Sequence, residues 1–172
     1  IRQSKFVVLK NALKFWCKDS NYRRQMALEE KIQVFFDPQG IGWRLISKGS
    51  VKLLYAGSVL GKNADEVLML LRATQPELDK IKSIVNKFRG HFGIVYQDEC
   101  KIVAVTDCVS SNPIFYRSFD RVCNIATSAN ALESDCTIDK LQAKAIVLSG
   151  YTIGRGTVFR EISSLGHGKV LF

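Results

Sequence analysis

The chain has 172 residues, of which 47% are hydrophobic and 24% are charged, and its net charge is +9. This composition predicts one globular domain over residues 1–172, and no apolar run is long enough to span a membrane. The five cysteines are odd in number and show no CxxC spacing, so we expect a reduced, cytoplasmic protein without a zinc site. Cys100, Cys108 and Cys123 fall in or beside predicted strands, where we expect each thiol to pack as a small apolar residue.

Basic residues cluster at residues 5–24 and again at residues 80–89. Such clusters attract phosphate groups of nucleic acid or the acidic surface of a partner protein. A solvated face has the same composition, and no nucleic-acid-binding motif accompanies the charge. We therefore do not favour a nucleic-acid or membrane partner, and we keep a basic, non-enzymatic binding module at residues 80–89 as an alternative.

Strands dominate the prediction for the first third of the chain. Residues 6–9 (FVVL) are a strand candidate, whereas residues 26–36 (MALEEKIQVFF) fit either a strand or a helix that runs into one. Residues 43–48 and 51–56 flank Gly49 and have the pattern of two strands, so a hairpin is predicted there.

Three helices are predicted further along the chain. Asn63 is a suitable N-cap for a helix over residues 64–73, and Asp139 is one for a helix that ends at Gly150. The helix between them carries Pro76 in its first turn, where proline is accepted. Its apolar residues lie on one stripe that should face a core, namely Leu78, Ile81, Val85 and Phe88.

Residues 90–132 contain two further hairpins separated by a polar elbow, TDCVSSNP. The elbow ends at a proline, which cannot donate a hydrogen bond to a central sheet. We expect one antiparallel sheet from the four strands, with Asp107 capping the turn of the elbow and His91 on the outward side of its strand. The strands are predicted at residues 91–97, 100–106, 113–119 and 121–128.

Four short motifs follow one another through the second half of the chain. They are GHFGI at 90–94, TDCVSSNPIFY at 106–116, ATSANAL at 126–132, and TVFREISSL at 157–165 with a turn at His167-Gly168. In order and spacing they resemble motifs of the N-terminal glutaminase domain of the asparagine synthetase family. Those motifs are Gly-x-Phe-Ala-Phe, Arg-Asp-x-x-Gly-x-x-Pro-Leu-Tyr-Tyr, Ala-Ser-Glu-x-x-x-Leu, and Thr-hydrophobe-Phe-x-x-Ile-x-x-Leu before a Pro-Gly turn.

The resemblance implies a class II glutamine amidotransferase domain with an N-terminal-nucleophile fold. That fold is α+β, a four-layer α/β/β/α sandwich of two antiparallel sheets flanked by helices. Relatives such as lasso-peptide cyclases and β-lactam synthetases join it to a C-terminal domain that uses ATP and Mg²⁺ to adenylate a carboxylate for amide formation. Residues 1–172 would be the N-terminal part of such an enzyme, without a cofactor of their own, and a homodimer is left open.

The family's nucleophile has no counterpart in this chain. In the family an N-terminal cysteine attacks the glutamine amide and its own α-amine acts as the base. This chain begins with Ile1, and Cys17 is internal within an apolar run, so we expect Cys17 to be a packed thiol. No catalytic residue is assigned.

The glutamine pocket is also altered. The Asn-Gly of the family's oxyanion hole corresponds to Ala56-Gly57, which removes a side-chain donor. The aspartate that binds the glutamine α-amine corresponds to Ala64, and a shift of one residue restores it as Asp65. Gly57 and Asp65 are therefore the candidate vestigial substrate-binding residues.

These differences lead to a first hypothesis and two alternatives. The first is a degenerate glutaminase-like domain that supports a C-terminal adenylating domain of an amide-forming enzyme. The second is a working glutaminase whose N-terminal cysteine has been lost from this chain. The third is the basic binding module at residues 80–89.

Overall fold

The computed structural model describes residues 7–14, 29–36, 42–119 and 122–172. Strands and helices occur together in these ranges, so the prediction of a mixed α+β domain is confirmed. The strands are β1 (Val7–Lys14), β2 (Glu29–Phe36), β3 (Trp43–Lys48), β4 (Val51–Val59), β5 (Gly90–Gln97), β6 (Ile102–Thr106), β7 (Phe115–Phe119), β8 (Val122–Ala126), β9 (Ser163–Ser164) and β10 (Val170–Leu171). The helices are α1 (Ala64–Ala73), α2 (Leu78–Val85) and α3 (Lys140–Ser149), with a 3-10 helix at Ala129–Leu132.

The described strands form two sheets of five. The first sheet has the order β1-β2-β8-β7-β9, and the second has the order β10-β6-β5-β4-β3. Neighbouring strands are antiparallel except for β2 and β8, which run parallel with Val34 opposite Ile125. Residues 26–36, which fitted a strand or a helix, contribute the strand β2 over Glu29–Phe36.

Residues 90–132 contribute to both sheets, so the expectation of one sheet from these four strands is wrong. The hairpin β5–β6 belongs to the second sheet, whereas the hairpin β7–β8 belongs to the first. The other edge of β6 is occupied by β10, where Val170 lies opposite Val105. Because that edge is taken, the strand that follows the elbow pairs in the other sheet.

The two sheets pack face to face around an apolar core. Leu54, Val95 and Ala104 of the second sheet are buried together with Val34 and Ile125 of the first. The opposite face of the second sheet is covered by α1 and α2. These two helices bury Val67, Leu68, Leu71, Ile81 and Val85 against it. The opposite face of the first sheet carries a smaller cluster of Ala126, Leu132 and Ile162.

The helix α1 begins and ends as the sequence predicts. The Asn63 side chain accepts the N–H of Glu66 at 2.9 Å, and the Glu66 carboxylate accepts the N–H of Asn63 at 2.7 Å. This reciprocal pair is a capping box, which satisfies two N–H groups that the helix itself leaves free.

The helix α2 differs from the prediction at its start. Glu77 is its N-cap, so Pro76 precedes the helix and is not part of the first turn. The first helical hydrogen bond runs from the N–H of Ile81 to the carbonyl of Glu77 at 3.0 Å. Ile81 and Phe88 of the predicted core stripe are buried, whereas Leu78 in the first turn is 39% exposed.

The helix α3 has the predicted caps but an unexpected environment. The Asp139 side chain accepts the N–H of Leu141 at 2.9 Å, and Gly150 ends the helix with a φ of +83°. None of the side chains of α3 is buried. Leu141 and Leu148, which share one face at helical spacing, both lie open to solvent.

The cysteines are only partly as predicted. Cys100 and Cys108 are exposed, so the expectation that they pack as small apolar residues is wrong. They lie in the turn after β5 and in the elbow, where the chain has left the sheet. Cys17 lies outside the described residues. Within the described ranges no helix has both the length and the apolar character needed to cross a membrane.

Candidate functional site

The predicted pocket residue Gly57 lies near the end of β4, where several segments of the chain meet. Gly57 pairs with Phe92 of β5, and the preceding residue, Ala56, pairs with Trp43 of β3. The part of the elbow that follows β6, residues 107–113, reaches the same end of the sheet through Asn112. We call the four residues in contact here the glycine site: Trp43, Gly57, Gly93 and Asn112.

Both glycines of this site let neighbouring groups lie closer to the strand backbone than a side chain would permit. Gly57 has a φ of +75°, and a Cβ atom there would overlap the carbonyl oxygen of His91 and lie 3.0 Å from Nδ2 of Asn112. A Cβ atom at Gly93 would lie 2.6 Å from the Trp43 ring and 2.8 Å from the carbonyl oxygen of Asn112. The indole ring and the elbow therefore rest directly on strand backbone.

The side chain of Asp107 holds the elbow in place. It is 2% exposed and accepts the N–H groups of Phe92 and Val109 at 2.8 Å each and of Ser111 at 3.2 Å. Burial alone would raise the pKa of this carboxyl group, but the backbone donors outweigh burial and hold the pKa below its usual value. The predicted role of Asp107 in capping the turn is confirmed.

Ser110, in the middle of the elbow, has a backbone conformation that favours glycine. Its φ is +55°, in the left-handed region that side chains disfavour. The motif that residues 106–116 resemble has glycine at this position. The backbone conformation at position 110 therefore suits the glycine of the motif better than it suits serine.

His91 and Ser111 form a pair on the solvent side of the glycine site. Nδ1 of His91 lies 2.8 Å from Oγ of Ser111, and both side chains are exposed. The predicted outward position of His91 is confirmed. In the described part of the chain no carboxylate binds the imidazole, so the pair lacks the third group that orients the base in a serine–histidine–acid triad.

The other predicted pocket residue, Asp65, makes its contact elsewhere. It forms an ion pair with Lys48 of β3 at 2.7 Å, with both side chains more than half exposed. Lys48 lies opposite Val51 at the turn of the β3–β4 hairpin. Strands advance roughly 3.3 Å per residue, so this turn lies roughly 20 Å along β4 from Gly57. The described contacts therefore do not bring Asp65 and Gly57 together.

The described residues of the glycine site offer hydrogen-bonding groups and no activated nucleophile. Ala56, which the resemblance aligns with the family's side-chain donor, is fully buried and carries only a methyl group. The half-buried amide of Asn112 is the side-chain group that lies beside Gly57. Among the described residues no group of three His, Cys, Asp or Glu side chains could hold a metal ion.

Sequence reasoning found Gly57 and Asp107 but missed Trp43, Gly93 and Asn112. Trp43 and Gly93 meet because β3 and β5 pair with the two edges of β4, and Asn112 reaches the same place from the elbow. The available signal was Gly93, a glycine between the apolar residues Phe92 and Ile94 of a strand, because such a glycine often marks the close approach of another segment.

A comparison with known protein families finds no family model that matches the chain, and no curated protein matches it. The likeness to a glutaminase domain therefore rests on motif order in the sequence. Family and function are accordingly treated as a proposal.

Proposed function

We propose that this chain is a non-catalytic glutaminase-like domain of an ATP-dependent, amide-forming homologue of asparagine synthetase. It supports a C-terminal adenylating domain and does not hydrolyse glutamine. In this proposal ATP and Mg²⁺ bind to the adenylating domain, and the protein is cytoplasmic. The observation that carries the proposal is the contrast between the elbow, which keeps its motif aspartate in a structural role, and Ala56, which replaces the donor.

The retained motif residues are those that hold the fold, which supports the proposal. Phe92, Leu132, Ile162 and Leu165 each occupy a motif position and are buried. Asp107 fixes the elbow through three backbone N–H groups. A domain that keeps its architecture without its reaction would keep residues of this kind.

The residues that have changed are those that would act on glutamine. One side-chain donor of an oxyanion hole typically contributes roughly 3 kcal/mol of transition-state stabilisation, and the methyl group of Ala56 contributes none of it. The candidate amine-binding residue, Asp65, pairs with Lys48 at the turn of the β3–β4 hairpin, away from Gly57. The proposal therefore predicts no glutamine turnover, whichever residue acts as nucleophile.

The four-layer N-terminal-nucleophile sandwich is the fold that this proposal requires. Two facing sheets with α1 and α2 on one outer face are compatible with three of its layers. The outer face of the first sheet carries the 3-10 helix and the Ala126 cluster. The proposal requires a further helical layer on that face.

Two measurements test the proposal. Glutamate release from glutamine by the purified protein should stay at the rate of a blank without protein, with an active glutaminase as the positive control. The complete gene product should release pyrophosphate from ATP when its carboxylate substrate is present. Glutamine turnover above the blank contradicts the loss of catalysis, and the absence of an adenylating domain after Phe172 contradicts the parent enzyme.

The two alternatives have their own tests. A cysteine directly before Ile1 in the intact mass of the mature protein, together with glutamine turnover, would favour an active domain. The basic module is weakened by the ion pairs of Lys80 with Glu77 at 3.3 Å and of Lys82 with Asp79 at 4.0 Å. Retention on nucleic acid at low salt that disappears at high salt would favour it.

A further inference from the structure

Exposed apolar side chains are concentrated around α3. Twelve large hydrophobic residues are exposed in the described part of the chain, and six of them lie between residues 138 and 153. Their exposed fractions are 56% for Ile138, 64% for Leu141, 85% for Val147, 86% for Leu148, 71% for Tyr151 and 58% for Ile153. A concentration of this kind marks an interaction site. We call these six residues the α3 surface.

Polar contacts join this helix to the loop that follows it. Asp139 and Gly150 cap the helix at its two ends. The Gln142 side chain then fixes the following loop, because it accepts the N–H of Ile153 at 2.7 Å and donates to the carbonyl of Ile153 at 3.2 Å. A preformed surface loses little conformational entropy when a partner binds.

A ten-residue helix is marginal in water unless packing stabilises it. No side chain of α3 is fully buried in the described structure, and its half-buried residues are Gln142, Ala143, Ala145 and Ile146. Leu141 and Leu148 lie on one side with Val147 next to them, and these three apolar side chains are exposed. Large apolar side chains on a helix normally face a core or a partner.

Basic groups are interleaved with these apolar residues. Lys144 is three or four positions from Leu141, Val147 and Leu148, so it lies between them on the helix surface. Lys144 and Arg155 are exposed and form no ion pair within the described residues. The nearest acidic group along the helix, Asp139, is occupied as the N-cap.

This charge pattern indicates which kind of partner binds the α3 surface. A second copy of the chain would place two basic surfaces against each other, which is unfavourable for molecules that each carry a net charge of +9. Helices that lie on lipid separate their apolar and basic faces, whereas here Lys144 lies among the apolar residues. A protein surface that presents a carboxylate among apolar side chains complements both Lys144 and the apolar residues around it.

We propose that the α3 surface binds another protein domain or subunit through apolar contacts that surround a carboxylate facing Lys144. The inference holds whether or not the partner is the adenylating domain of the proposed function. It assigns Lys144 as the specificity-determining residue and Leu148 and Val147 as the apolar anchors beside it.

Site-specific photo-crosslinking tests the inference on the complete gene product in its native cells. A benzophenone amino acid replaces Leu148, and the matched control replaces Met69 of α1, which is 64% exposed. The Leu148 position should crosslink to one partner segment that contains Asp or Glu among apolar residues, and the Met69 position should not. Lys144→Glu should reduce the yield at least about tenfold, whereas Lys144→Arg should retain it.

A charge exchange completes the test. Changing the crosslinked carboxylate of the partner to lysine should restore the yield in the Lys144→Glu protein. The inference is overturned by crosslinks only to a second copy of the chain, by yields that do not depend on Lys144, or by no crosslink at all. Flotation with phosphatidylcholine–phosphatidylserine vesicles that is lost in Leu148→Ser would assign the surface to lipid and would also overturn it.

The outcomes separate this inference from the proposed function. A charge-dependent crosslink to a protein with no adenylating activity supports the α3 surface and contradicts the proposed parent enzyme. An adenylating domain that follows Phe172, combined with no crosslink from position 148, supports the parent enzyme and contradicts the α3 surface.

Discussion

The elbow and the α3 surface are both well-defined segments, but they are stabilised in opposite ways. In the elbow the Asp107 carboxylate is 2% exposed, and three backbone N–H groups converge on it. Around α3 the polar contacts of Asp139 and Gln142 fix the backbone while Leu148 stays 86% exposed. The elbow is therefore complete within the chain, whereas the α3 surface is ordered but uncovered.

The largest effect should come from removing the carboxylate of the elbow. Asp107→Ala leaves three N–H groups without an acceptor, and we expect the free energy of unfolding to fall by about 4 kcal/mol. Urea unfolding measures this change. The control is Asp79→Ala, whose side chain is 98% exposed and whose change should stay within about 0.5 kcal/mol. Equal effects for the two variants would contradict the role of Asp107.

The close approach at Gly57 should give the next largest effect. Gly57 and Gly61 both have a positive φ, at +75° and +70°, but only at Gly57 would an added Cβ atom meet other atoms within 4 Å. Gly61→Ala should cost about 1 kcal/mol from backbone strain, and Gly57→Ala about 3 kcal/mol because it also overlaps the His91 carbonyl. Thermal or urea unfolding measures both losses, and equal losses of unfolding free energy in the two variants would contradict the close contact between Gly57 and the His91 carbonyl.

Acid should weaken the elbow in a predictable direction. The folded-state pKa of Asp107 is lower than its ordinary value of 3.8, so the unfolded chain binds more protons in that range. The contribution of Asp107 is fully present above the unfolded pKa and is lost as pH falls towards the folded pKa. Urea midpoints between about pH 2 and pH 6 should fall less steeply on acidification for Asp107→Asn than for the natural protein. Parallel curves would be inconsistent with this role of Asp107.

A smaller effect, with the opposite sign, is expected in the middle of the elbow. Ser110 has a φ of +55°, so Ser110→Gly should raise the free energy of unfolding by about 0.5–1 kcal/mol. Ser50→Gly, in a turn without a positive φ, should lower it slightly because glycine adds entropy to the unfolded chain. A loss of stability in Ser110→Gly would contradict the strained backbone.

The smallest effect is expected on the α3 surface. Leu148→Ser should change the free energy of unfolding of the isolated chain by less than about 0.5 kcal/mol, because the side chain is already in water. Leu68→Ser, at a position 1% exposed in α1, should cost at least about 3 kcal/mol. A large loss in Leu148→Ser would mean that α3 is packed in the isolated chain, which would weaken the contrast with the elbow.

Features decided by neighbouring residues could be predicted from the sequence. The capping box of Asn63 and Glu66, the N-cap Asp139 and the turn at Asp107 each depend on residues within four positions of one another. Side-chain oxygens at fixed short spacing reach the same backbone N–H groups wherever they occur. The helix starts, apart from that of α2, and the role of Asp107 followed from this regularity.

Features decided by distant strands could not be predicted in the same way. The division of residues 90–132 between two sheets depends on β10, whose Val170 pairs with Val105 at 65 positions' separation. The glycine site depends on Trp43 and Asn112 reaching the same strand backbone from separate segments. Local periodicity contains no information about which strand occupies which edge.

Glutamate release from glutamine by the purified protein tests the proposed function most directly. The proposal predicts a rate indistinguishable from the blank, because Ala56, aligned with the family's oxyanion donor, carries only a methyl group and Asp65 pairs with Lys48, away from Gly57. A rate above the blank that is lost in Gly57→Ala but retained in Gly61→Ala would place an active glutaminase at the glycine site and contradict the proposed function.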